Sequence, residues 1–143
     1  MSHDLRLDAD SVFSHFWATA LEDAQHREND EALEEGREPL EITGDPVNGY
    51  AESYKAAVVA ICRAAEKLME GQNPNTFPRV CPEGDLDAIF GSDLFMTCMG
   101  RGVGFWDGDW NPIGDELTDL CHESPFANCG GLTGHADGGY FIG

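Results

Sequence analysis

Asp107, Asp109 and Asn111 occupy alternate positions in "GRGVGFWDGDWNP", residues 100–112, which is how a calcium-binding loop begins. Asp115 would fall at its ninth position. The sixth position, however, is Pro112 where such a loop needs glycine for its sharp turn, and the twelfth is Thr118 where it needs a bidentate glutamate. The glycines do not form a phosphate cradle either. A Walker loop runs into Gly-Lys-Ser/Thr, and no lysine follows Lys67. A dinucleotide fingerprint needs a strand before its glycines and a long helix after them, and Asp107 and Asp109 would repel phosphate. Cys121, His122, Cys129 and His135 are zinc-ligand types, but their spacing matches no common zinc module, and zinc stays an open question at this level. A metal-assisted enzyme would draw on Asp107, Asp109, Asp115 and His135, yet no Ser/His/Asp or Cys/His order stands out. No catalytic residue, no metal and no cofactor is therefore expected. Gly100-Arg101-Gly102 reads as the turn of a hairpin between apolar strands, with Gly104 allowing the second strand to bend.

Charge narrows the partners. The 143 residues carry 27 acids against 8 Lys and Arg, a net charge of −19. Such a surface repels nucleic acid and anionic membrane and attracts a basic protein surface. Adaptation to high salt is the competing explanation. Residues 1–45 hold thirteen acids and three bases, residues 46–91 six and four, and residues 92–143 eight and one. The nearly neutral middle suggests a buried central element between acidic flanks. Within the first segment, Glu28, Asp30, Glu31, Glu34 and Glu35 would make a negative ridge if helical. They are the candidate partner-binding residues together with Asp107 and Asp109. No apolar run is long enough to span a membrane, and "MSHDLR" lacks a basic-then-apolar export signal. The five cysteines are read as free thiols, with Cys62 on a core face.

These residues must be carried by one domain. Val12, Phe16, Ala20 and Ala24 lie beside Phe13, Trp17 and Leu21, making a wide apolar helical stripe over residues 10–24, capped by Asp10 or Ser11. The polar run after it continues as helix to about Gly36 or frays near Asn29. Leu40 and Ile42 suit a short extended piece in a Pro- and Gly-containing linker. A second helix, residues 50–70, presents Tyr54, Val58, Ile61, Ala65 and Leu68, with Gly71 ending it. Residues 72–92 read as a Pro-rich loop with one helical turn near its end. From Asp93 the texture suggests strands, "DLFMTCM" and "VGFWD". A short helix follows, with Asn111 as N-cap and Pro112 in its first position, and then a glycine-rich terminal hairpin. The expected fold is α+β: an acidic helical segment 1–45, a central helix 46–71, the loop 72–92, and a ββαβ-like segment 93–143 supplying a small antiparallel sheet under two helices.

The block "DLFMTCMGRGVGFWDGDW", then "IGDELTDLCHE" and a short Gly-Asp-rich end, resembles a family of small uncharacterised bacteriophage proteins. The matching positions are Asp93, Thr97, Gly100, Gly102, Gly104, Phe105, Trp106, Asp107, Gly114, Asp115, Leu117 and Thr118. The resemblance covers roughly the last third of the chain. It departs at Ser92, Cys98, Met99 and Arg101, where the family shows His, Arg, Asn and His, so no role of those histidines carries over. It implies phage origin and no particular activity. The functional expectation is a non-enzymatic accessory protein binding a basic surface of a host or phage protein, without contacting nucleic acid or membrane. One version is DNA mimicry against a restriction or CRISPR enzyme in the host cytoplasm. The alternatives are a virion assembly component, a salt-adapted phage protein of another role and, ranked below these, a metal-assisted enzyme.

Overall fold

The computed structural model describes residues 7–44, 51–70, 86–99, 105, 110, 113–124, 126, 132–134 and 140–142. Helix α1, Ala9–Glu35, starts where the Asp8 carboxylate accepts from the amides of Asp10 and Ser11. It ends in a Schellman cap. Gly36 turns left-handed at φ 67°, and the Arg37 and Gly36 amides return to the Ala32 and Leu33 carbonyls. The first half of α1 buries Val12, Phe13, Phe16, Trp17 and Ala20, which are drawn from both rows of the sequence stripe. Helix α2, Ala51–Met69, sets Tyr54, Val58, Ile61, Cys62, Ala65 and Met69 inward. The segment before α1 lies against it. The Leu7 amide donates to Glu66, and Arg63 bonds both the Leu7 carbonyl and Glu66.

Helix α3, Leu86–Met99, is the most enclosed element, burying Phe90, Gly91, Asp93, Leu94, Phe95, Thr97 and Cys98. It crosses α1 most closely at Gly91, which meets the Val12 and Phe16 backbone and His15 Cβ. A Cβ there would stand 2.5 Å from the Val12 carbonyl oxygen and 3.0 Å from the Phe16 amide nitrogen. Only glycine lets the two backbones meet so closely. Helix α4, Gly114–His122, places Leu117 and Cys121 in the core. Strands β1, Leu132–Gly134, and β2, Tyr140–Ile142, pair antiparallel, with Leu132 opposite Ile142.

The fold is therefore helical, and the expected α+β arrangement is wrong. Residues 93–99 belong to α3, which begins at Leu86, inside what reads as a proline-rich loop. Phe105 lies at a turn. The terminal pair of three-residue strands is the whole of the sheet among the described residues. The period misled because "IFGSDLFMTCM" is apolar on nearly every side. Leu94, Met96 and Cys98 alternate like a strand, yet a helix buried all round needs no polar face. Leu and Met also favour helix. The near-neutral middle has its own cause. Lys55, Arg63 and Lys67 offset Glu52, Glu66 and Glu70 along a half-exposed α2, so neutrality there does not mark a buried element. The helical core that replaces the sheet is aromatic. Phe90, Phe105 and Trp110 have centroids 5.0–5.5 Å apart, and Phe16 meets Phe95 at 5.6 Å and Phe126 at 4.9 Å. Asn111 and Pro112, expected to start the short helix, lie outside the described residues, and Ile113 precedes α4 without a side-chain cap.

Candidate functional site: an acidic arm beyond the core

Helix α1 outruns the core that its first half builds. Of residues 25–35 only Ala32 is buried, and it does not join the aromatic core. The chain then doubles back along the helix as residues 37–44. Three side chains of α1 hold this return segment by its backbone. Glu28 accepts from the Leu40 amide at 2.7 Å. Gln25 donates to the Leu40 carbonyl at 2.9 Å and accepts from the Ile42 amide at 2.8 Å. The Trp17 indole donates to the Gly44 carbonyl at 2.7 Å. Positions 17, 25 and 28 share one helical face, so the segment lies as a strap along it. Gly44 itself sits at φ 140°, a conformation that only glycine adopts readily.

Arg37 sorts the five ridge carboxylates into two groups. Its guanidinium grips Glu28 through both terminal nitrogens, at 2.6 and 3.2 Å, and reaches Glu35 through Nε at 2.6 Å. The bond from Arg37, then that from the Leu40 amide, hold the Glu28 carboxyl down at about 2. Glu28, and after it Glu35, raise Arg37 further above its ordinary value. Glu28 and Glu35 are thus partly neutralised within the chain. Asp30, Glu31 and Glu34 are exposed, and none has an ion-pair partner among the described residues. The strap adds exposed Glu38 and Glu41, and Leu33 stands 82% exposed on the same arm. The arm's other arginine, Arg27, pairs with Asp23 at 3.1 Å. Sequence reasoning missed Arg37 and Gln25. The available signal was "EEGRE": a helix-stopping glycine followed by an arginine with acidic residues on both sides.

Asp107 and Asp109 lie outside the described residues, as do Cys129 and His135. Asp115 is exposed in the first turn of α4. Cys121 is fully buried while its neighbour His122 is exposed, so the two point away from a shared ligand position. Among the described residues no three His, Cys, Asp or Glu side chains cluster around a metal position. The Cys62 thiol is pushed up to about 12, chiefly by burial, which makes it a packing group and not a nucleophile. Among the described residues no helix is long and apolar enough to cross a membrane.

Asp93, Thr97, Phe105 and Trp110 form a second polar assembly, and it is buried. Trp110 donates its indole N–H to Asp93 Oδ2 at 2.7 Å. The Thr97 hydroxyl donates to the Asp93 carbonyl at 2.7 Å and accepts from the Phe105 amide at 2.9 Å. Asp93 and Thr97 are at most 1% exposed. This node pins Phe105 and Trp110 onto α3. An acid in the middle of an otherwise apolar helix was the clue that it had a buried partner. No protein-family model, curated protein or solved structure matches the chain.

Proposed function

We propose that this chain is a non-enzymatic accessory protein of bacteriophage type that captures a basic surface on a partner protein with the free edge of its acidic arm. One observation supports this reading above the others. Asp30, Glu31 and Glu34 are exposed and lack ion-pair partners among the described residues, on a helical segment that leaves the core. Exposed carboxylates grouped along one helix suit the cations of a nucleic-acid-binding groove, so a host-defence enzyme is the favoured partner class. The phage assignment rests on the resemblance in the last third of the chain, and the location would be the host cytoplasm.

The test is a pull-down from host extract, followed by association kinetics for the triple change Asp30→Asn, Glu31→Gln, Glu34→Gln. The proposal expects slower association and a flatter dependence on salt, because rim charges act mainly on the on-rate. Screening past a Debye length of about 8 Å at physiological salt limits the effect to close approach. Unchanged affinity and salt slope would remove this edge as the capture surface. If the acidity served salt tolerance instead, the triple variant would bind normally and lose solubility in molar salt.

A further inference from the structure

The strap is held in a way that differs from the rest of the molecule. None of residues 36–44 enters the hydrophobic core. Leu40 is 66% exposed and Ile42 only half-buried. What holds the segment is a set of side-chain bonds from α1 to its main chain. Gln25 bonds both a carbonyl and an amide, two residues apart, with one side-chain amide group. A side-chain amide used in this way reads an extended backbone and is indifferent to the side chains it carries. Glu28 adds selectivity, since it takes an amide and a guanidinium together. Past Gly44 the same face opens into a cleft of about 480 Å³ between Phe13, Trp17, Leu21 and Lys55. The Lys55 ammonium stands 5.9 Å from the centre of the Phe13 ring and has no carboxylate partner among the described residues.

We infer that the Trp17–Gln25–Glu28 face of α1 is a binding site for an extended peptide segment of a partner that begins with an arginine, and that residues 37–44 occupy it in cis. The charge of the site fits such a ligand: the arginine meets Glu28 and Glu35, as Arg37 does, and Gln25 and Trp17 take the main chain that follows it. A segment supplied in trans competes with a strap that buries little apolar surface, so local opening of the strap sets the apparent affinity. The site uses different residues of α1 from Asp30, Glu31 and Glu34, and it stands whether or not that edge captures a partner.

The probe is the strap's own sequence as a labelled peptide, Arg-Glu-Pro-Leu-Glu-Ile-Thr-Gly, read by fluorescence anisotropy. The intact chain is compared with a full-length variant carrying Arg37→Ser, Leu40→Pro and Ile42→Pro, which removes the guanidinium and both amide donors that hold the strap and leaves the core residues unchanged. Binding to the variant should exceed binding to the intact chain by about tenfold or more, the factor by which cis occupation lowers the competent fraction. Adding Gln25→Ala to the variant should abolish it. No binding to a variant of native helicity overturns the inference, and so does equal binding to all three proteins. Hydrogen exchange of the unaltered chain gives a check that needs no variant. The Leu40 and Ile42 amides should exchange far faster than the Phe16 amide, and equally slow exchange would show a strap that cannot be displaced.

Discussion

The two halves of helix α1 share one backbone and almost nothing else. From Ala9 to Ala24 the helix is a core element, with Phe16 fully buried and its backbone touching α3 at Gly91. From Gln25 to Glu35 it carries five acids and is covered on one face by eight residues of returning chain. The first half is held by burial, which ionic screening does not weaken and pH largely leaves alone. The second is held by hydrogen bonds and ion pairs at the surface, which water and salt weaken. A continuous helix is therefore no guide to where a domain is stable.

The largest expected effect is in the first half. Phe16→Ala should cost about 3–5 kcal/mol of unfolding free energy, because it empties a site between Phe95 and Phe126. A denaturant midpoint close to that of the unaltered protein would dissolve the contrast. Gly91→Ala comes next, at about 1–3 kcal/mol, since the added methyl must push α1 and α3 apart. Trp110→Phe keeps an aromatic ring in the cluster but withdraws the indole donor from Asp93, and about 1.5–3 kcal/mol should be lost. A cost near that of a surface change would show the bond to be replaceable.

The second half should respond to pH where the first does not. Glu28 is held at about 2 in the folded chain against 4.5 unperturbed, so its contribution is complete above 4.5 and disappears as pH falls toward 2. Between those values the strap should loosen before the core melts, seen as faster exchange at Leu40 while near-ultraviolet dichroism persists. Simultaneous loss of both signals would mean that the strap and core form one cooperative unit. The smallest effect is expected for Leu33→Ala, within about 0.5 kcal/mol, because that side chain is mostly in water. A larger loss would place Leu33 in a contact that its exposure does not suggest.

What was legible in the sequence follows the same division. The stripe Val12–Leu21 and the face Tyr54–Ala65 were readable because each contrasts apolar with polar at a helical period. Helix α3 was not, because an element buried on all sides has no contrast to read, and Phe95 and Leu94 fit either period. Among the ridge residues, Glu28 and Asp30 look alike as letters. Only the chain reversal at Gly36 brings Arg37 back onto one and leaves the other without an ion-pair partner among the described residues, and no spacing rule contains that fold-back. Asp93 gives no local sign of its partner, because its buried bond to Trp110 crosses seventeen residues of sequence.

The crossing at Gly91 also has a mechanical meaning. It grips α1 around Val12–Phe16, near one end of a rod about 40 Å long at 1.5 Å per residue. The tip at Glu35 lies about 30 Å from that grip on the same rise. The crossing is then a fulcrum, and a tilt of roughly 5° there swings the tip by about 3 Å, comparable to the reach of one hydrogen bond. Backbone resting on backbone leaves no flexible side chain to absorb such a tilt. The missing methyl group at Gly91 therefore sets the aim of carboxylates about five helical turns away.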